Sequence, residues 1–322
     1  MKNFINYYYG FYINNIYFSN NKYFFQIGNE KYMLQTCENP TITSYCNEIN
    51  YQLNQYYYFF SFVLNKENNY ITLIENKPYL LLKLNNMINS KISIFDIKND
   101  YFIDVHGKIS NLNRFPWTRL WENKIDYFER ILFSKKESYK KIYPIFHYFI
   151  GIAENALLYL KQTIQEEEQE DSDRVVISHS RITIDYELYD YYNPVNIIID
   201  HSSRDISEYI KSMFLHRVWD LDILSQYLDK NYFSRYGIRM IFARILFPSF
   251  FFDDLENMIL HSSDINVLLL ESRAEEFENF IREIGTFFMN KYDIPEEAAP
   301  FAAESLQSVE ELLFGFMIYL IS

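Results

Sequence analysis

Near Asn86 the spacing of apolar residues changes from strand-like to helix-like, so the chain cannot fold from one kind of element alone. From about Tyr8 to Leu84 the apolar residues fall in short β-branched and aromatic runs. NNIYFSNNKYFFQIGNEKYMLQT holds three such runs, broken by the turn signals SNNK and GNEK. A helical segment is expected near Tyr45–Tyr56, followed by the strand-like runs YFFSFVL, YITLIE and PYLLLKL. Beyond Asn86, LWENKIDYFERILF and HYFIGIAENALLYLKQTI space their apolar residues by three and four, as helices do. QEEEQEDSD, beginning at Gln165, reads as a charged, solvated connector. RVVISHSRITI and VNIIID interrupt the helices as a strand pair, and helices resume at DISEYIKSMF. There Asp205 is expected before the first turn, with Glu208 three residues on as its capping partner.

Composition narrows the function classes. The chain has 30 Tyr and 29 Phe, and NYYYGFY or QYYYFFSF could serve as stacking platforms for bases. With many Asn and Ile and only 7 Gly and 8 Pro, that usage fits the codon bias of an AT-rich genome better. A net charge of −13 with no long basic stripe opposes a phosphate backbone, so no nucleic acid partner is expected. No apolar run reaches the ~20 residues that span a bilayer, so no membrane insertion is expected. The longest, LLFGFMIYLI, reads as a core helix, and the N-terminus does not read as a signal peptide. Cys37 and Cys46 have no nearby His to complete a zinc site and read as reduced thiols. His106, His147, His216 and His261 are scattered, and Trp117 and Trp121 read as a core cluster. Four alanines, Ala298, Ala299, Ala302 and Ala303, mark a shift of composition in the last stretch of chain.

A small β-rich part with one helix, then a large helical part with a strand pair inside it, resembles the bilobal protein-kinase-like α+β fold of many small-molecule kinases. The lobes expected are residues 1–86 and 87–322. In that fold a third-strand lysine grips the nucleotide phosphates and a helix glutamate holds the lysine. A catalytic aspartate faces the acceptor, and an asparagine and a second aspartate hold magnesium. The aminoglycoside- and choline-kinase-like branch writes its catalytic part as HGDxxxxN followed by IDxxxxxxxD. Here ISHSRITIDY puts His179 at the histidine, Ser180 at the glycine, Arg181 at the catalytic aspartate and Tyr186 at the asparagine. Asp200 stands 19 positions after Arg181, at the magnesium aspartate, with Asp205 next for the structural aspartate that follows. Gln35 in YMLQT falls near the lysine position, and Glu48 is the candidate helix glutamate.

These substitutions carry chemical weight. Arginine keeps its proton and offers no acceptor lone pair, so Arg181 can neither take a proton nor ligate magnesium. Tyrosine is a poor ligand for a hard cation near neutral pH. No catalytic residue is expected among these, no metal is expected, and Asp200 alone could hold an ion if any does. His179 is expected to brace backbone, and Arg181 and Arg204 to pair with Asp185 and Asp200.

IGIAENALLYL, ISHSRIT and NPVNIIIDHSSRDISEYIKSMF resemble the spore coat proteins of the CotS and YutH group, the YutH type in particular. The resemblance is specific over roughly Tyr148–Phe214. It implies a pseudokinase made in the mother-cell cytoplasm and then carried in the endospore coat, with other spore coat proteins as partners and no cofactor. Two other classes stay open. One is an unconventional small-molecule phosphotransferase using Mg-ATP, with Asp200 joined by Asp185 or Glu48. The other is a nucleotide-binding scaffold.

Overall fold

Two-residue turns set the first part of the chain. Asn20–Asn21 and Glu75–Asn76 all take positive φ (49°, 59°, 52° and 63°), the conformation that folds adjacent strands into tight hairpins. The structure, a computed structural model, describes residues 1–37, 48, 51, 60–85, 90–103, 105, 107–134, 142–261 and 267–294. Two compact units result: Met1–Arg114 with Val175–Asp200, and Phe115–Arg174 with the chain from His201 on.

The first unit opens with helix α1 (Lys2–Tyr9). An antiparallel sheet follows, built from β1 (Ile16–Ser19), β2 (Lys22–Ile27), β3 (Glu30–Thr36), β4 (Phe60–Val63), β5 (Ile71–Ile74) and β6 (Lys77–Leu84). The strand order is β1-β2-β3-β6-β4, with β5 also pairing β6. Alternation gives the sheet two apolar faces. On one, Phe25, Tyr32, Leu34 and Leu81 pack with Ile5 and Tyr9 of α1. On the other, Phe24, Met33, Leu80, Leu82 and Leu84 share a core with Ile177, Tyr189, Ile197 and Ile199. Those last residues come from a second, two-stranded sheet, β7 (Val175–His179) with β8 (Ile197–His201), and from the short helix between them.

The strands fall where the apolar runs predict them. Helix α1 is an element that those runs do not announce, since it precedes them in the chain. It forms because Ile5 and Tyr9, four apart, bury on one side, and Gly10 ends it in the left-handed region (φ 75°), donating its amide to Asn6. Of the helix expected near Tyr45–Tyr56, Glu48 and Tyr51 are described and both are helical; its other residues and the alanine-rich C-terminal stretch lie outside the described residues, as does Cys46. Cys37 is a buried thiol.

The second unit is helical: α2 (Thr118–Ser134), α3 (Tyr143–Glu166), α5 (Arg204–Leu215), α6 (Leu221–Lys230), α7 (Arg235–Leu246), α8 (Ser249–His261) and α9 (Val267–Tyr292), with α4 (Leu188–Tyr191) in the first unit. Helix α7 is buried from Tyr236 through Leu246 and packs against α3, α5 and α9. Trp117, Trp121 and Phe247 stack in this core, as the sequence leads one to expect.

Two acidic segments differ from what their sequence leads one to expect. The segment from Gln165 is not a free connector: α3 runs through Glu166, and Glu166 and Glu167 both accept from the buried Arg239 (3.0 and 2.8 Å). Asp173, from the same acidic run, is buried and accepts the Ser234 hydroxyl at both oxygens (2.7 Å each). Asp205 is not a cap either. Helix α5 starts at Arg204 with Ser203 in the cap position, so Asp205 lies buried inside the first turn. Glu208 turns into the core, where Arg244 (3.0 Å) and Lys211 (2.9 Å) surround it.

Candidate functional site

Two of the kinase-like positions of the first unit, Gln35 and His179, meet the segment Tyr189–Asn193. Gln35, on β3, faces Lys22 of β2 across the register and Leu80 of β6 on its other side. Cross-strand neighbours share a face, so Lys22 and Gln35 point the same way. Each meets a polar group of that segment. The Gln35 amide donates to Asn193 Oδ1 (3.1 Å) and accepts from Asn193 Nδ2 (2.9 Å). The Lys22 ammonium pairs with Asp190 and lies 5.1 Å from the centre of the Tyr189 ring. Asn20, in the β1–β2 turn, donates to the Tyr189 hydroxyl (3.2 Å), and the Tyr189 ring meets Phe24 edge-on at 5.6 Å. Burial pushes the Tyr189 phenol above its ordinary pKa, against the bond from Asn20. Burial likewise holds Tyr192 up at about 12, with Tyr101 and Asp96 adding to the rise.

Asn193 is held ready for this contact by the chain around it. Its Oδ1 also accepts the Val195 amide, an Asx-type turn made possible by the Asn-Pro step. Lys22, Tyr189, Asp190 and Asn193 stand outside the kinase-like pattern of the sequence. The Asn-Pro pair was the one local signal that marked this turn.

The remaining expected residues are distributed as follows. His179 ends β7 with its ring stacked on Tyr191 (4.3 Å) and its Nε2 bonded to the Tyr191 carbonyl oxygen, a backbone brace. Arg181 is exposed. Asp185 accepts from Lys91 at 2.7 Å on the surface. Tyr186 sits in a turn, its amide donating to Thr183 and its carbonyl accepting from Ile92. Asp200 ends the first unit fully buried on β8, whereas Asp205 belongs to the second unit. Glu48 is helical and half-buried, and its chain neighbours lie outside the described residues. His201, in the second unit, is buried with Nδ1 against the Ser203 hydroxyl (2.8 Å). Among the described residues no group of three or more His, Cys, Asp or Glu is placed to hold a metal ion.

Residues 2–289 match the protein family described as "Spore coat putative kinase YutH". The chain belongs to the YutH family. A YutH-family relative, the endospore coat-associated protein YutH of Bacillus subtilis (strain 168), is 26% identical over 270 residues, covering 73% of this chain and 77% of that one. Solved structures place the YutH-family chain in the aminoglycoside-phosphotransferase-like fold. An aminoglycoside phosphotransferase from Alicyclobacillus acidocaldarius is similar with a TM-score of 0.50 at 12% identity, covering 90% of this chain and 97% of that one. The spectinomycin phosphotransferase APH(9)-Ia, in complex with ADP and spectinomycin, is similar with a TM-score of 0.53 at 10% identity, covering 96% and 97%. Among the described residues of this YutH-family chain no helix is long and apolar enough to cross a membrane.

Proposed function

We propose that this chain is a noncatalytic, kinase-like component of the endospore coat that works by binding other coat proteins, with residues 1–86 as its β-rich lobe and 87–322 as its helical lobe. One observation carries the reading. Near the strand position where the resemblance puts the phosphate-gripping lysine, Gln35 presents an amide already committed to Asn193.

The neighbouring chemistry supports it. Phe24, Met33, Leu82 and Tyr189 fill the sheet face with one continuous apolar core. The β1–β2 turn has two residues and is tied to Tyr189 through Asn20, whereas cradling phosphates takes a run of approachable backbone amides. The residues present do not fit the magnesium nucleotide that this fold family implies. Arg181 stands where a carboxylate is needed, Tyr186 replaces an amide ligand, and the Asp185 carboxylate is engaged by Lys91. The relative's association with the endospore coat supports the same destination for this chain, reached from the mother-cell cytoplasm. Its partners there are other coat proteins rather than nucleic acid, given the charge of −13.

The test is thermal unfolding of the purified protein with and without millimolar Mg-ATP, beside imaging of a fluorescent fusion during sporulation. A ligand at ~100 times its dissociation constant stabilises a native state by about 2.7 kcal/mol, which shifts the midpoint by several degrees. The proposal expects no shift and a ring of fluorescence around the forespore. A magnesium-dependent shift, followed by phosphoryl transfer to any acceptor, overturns it.

A further inference from the structure

From Asn3 to Asn21 the chain carries no charged side chain, although 23% of all its residues are charged. Strand β1 lies inside this neutral stretch and at the end of the strand order. Its Tyr17 and Phe18 are 56% and 58% exposed. Sheet edges in soluble proteins are normally blunted by lysine, proline or a bulge. Ile16–Ser19 has none of these, and its four residues pair with β2 in unbroken register. Such an edge offers unpaired backbone groups and apolar side chains together.

We infer that β1 is where two copies of this chain join, strand against antiparallel strand, about a two-fold axis at Tyr17. The sequence is self-complementary about that residue. Outward from Tyr17, Ile16 matches Phe18, Asn15 matches Ser19, and Asn14 matches Asn20, so apolar meets apolar and polar meets polar. The backbone agrees. A two-residue turn makes Ser19 and Lys22 the closing hydrogen-bonded pair, and alternation then turns the peptide groups of Ile16 and Phe18 outward. In the proposed register Ile16 exchanges bonds with the second copy's Phe18, twice by symmetry, and the two Tyr17 residues meet at the closer, non-hydrogen-bonded site.

Both faces of the joined sheet gain from this pairing. Tyr17 already stacks on Phe24 (5.1 Å, 12° between planes) and Phe18 lies against Tyr23 (4.6 Å). Pairing extends the first contact into a row of four rings across the axis and seats Ile16 beside the second contact. A second copy is the occupant that the charge pattern selects. A chain of net charge −13 repels its own copy over most of its surface, and the stretch from Asn3 to Asn21 is where that repulsion is least. Strand β1 itself carries no charge to select a basic or an acidic partner, and the Lys2 ammonium beside it is already bound to the Asn14 carbonyl oxygen. Four residues a side bury less than the ~1,200 Å² of a standard interface, so the dimer is reversible and forms where the protein is concentrated. Pairing through β1 does not depend on whether the chain binds nucleotide.

Sedimentation velocity across micromolar concentrations tests it. The wild type is expected to move from monomer toward dimer, Tyr17→Lys to stay monomeric throughout, and Tyr127→Lys, an exposed aromatic of α2, to behave as the wild type. Oxidation of Tyr17→Cys gives a second reading that does not depend on a charged variant folding. Facing residues at a non-hydrogen-bonded site have Cα atoms ~4.5 Å apart, within disulfide reach. A covalent dimer mapped to residue 17, formed faster than with Tyr127→Cys, supports the pairing. A wild type that stays monomeric, a dimer that Tyr17→Lys leaves intact, or a Tyr17→Cys chain that cross-links no faster than the control overturns it.

Discussion

Gln35 and Asn193, 158 residues apart in the chain, exchange two hydrogen bonds between buried amides. Removing one partner of such a pair leaves the other's polar atoms dry and unsatisfied, a cost of about 1–3 kcal/mol. Gln35→Ala is therefore expected to lose stability in that range. Asn193→Ala should lose more, because its Oδ1 also holds the Val195 amide. In urea unfolding the double variant should lose less than the two single losses combined, since the second removal no longer strands a partner. Strict additivity would show that the amides do not act as a pair.

The Lys22–Asp190 pair sits beside it with side chains only 14% and 13% exposed. Lys22→Met keeps most of the apolar stem but strands a carboxylate that is nearly out of water. Breaking a buried pair from one side costs about 3–5 kcal/mol, and the residual exposure here puts the expectation at the lower end. Lys22→Met combined with Asp190→Leu should recover much of the loss. If the single variant unfolds at the wild-type urea midpoint, the contact contributes nothing to the first unit.

These two contacts mark the limit of what the sequence discloses. The strands were legible because β-branched and aromatic runs alternate with SNNK and GNEK, and Gln35 could be placed on its strand from YMLQT alone. His179, Arg181 and Asp200 were legible as positions because the resemblance supplied a spacing. The groups that hold Lys22 and Gln35 were not, since Asp190 and Asn193 lie more than 150 residues away and no local period reports such a pairing. The misreading of DISE has the same origin. Asp205 and Glu208 have the spacing of a capping box, but Glu208 is drawn inward by Arg244, which comes 36 residues later. Acidic residues read as solvated for want of a visible partner, and for Glu167 and Asp173 the partners Arg239 and Ser234 stand on the distant helix α7 and at its cap.

Asp173 gives the second unit an acid-sensitive contact. Burial alone would raise its carboxyl pKa, but His201, the Glu170 amide and the Ser234 hydroxyl outweigh it and hold the carboxyl below its ordinary value. A carboxylate depressed in the folded state adds stability above the unfolded pKa of ~3.9 and loses it as pH falls through the folded value. Asp173→Asn should thus be less stable than the wild type at pH 7, with the gap closing as pH drops below about 4. Urea midpoints measured across that range decide it, and a gap that stays constant with pH would assign the effect to packing instead.

Glu208 offers the largest single effect in the second unit. One of its oxygens meets both Lys211 (2.9 Å) and Arg244 (3.0 Å), and all three side chains are buried. The cations have further partners, since Arg244 lies over the Trp117 ring (4.6 Å) and Lys211 donates to Ser249 (3.0 Å). Glu208→Ala removes the buried carboxylate that both cations share, and the expected loss is about 3–5 kcal/mol, against ±0.5 for an ordinary surface change. Glu208→Gln keeps the acceptor oxygen without the charge and should fall between the wild type and the alanine variant. Removing the repulsion as well, in Glu208→Leu with Lys211→Met, should restore part of the loss, because a packed apolar pair does not need the missing carboxylate. Equal stability of Glu208→Ala and the wild type in urea would mean that water reaches these cations after the carboxylate is gone.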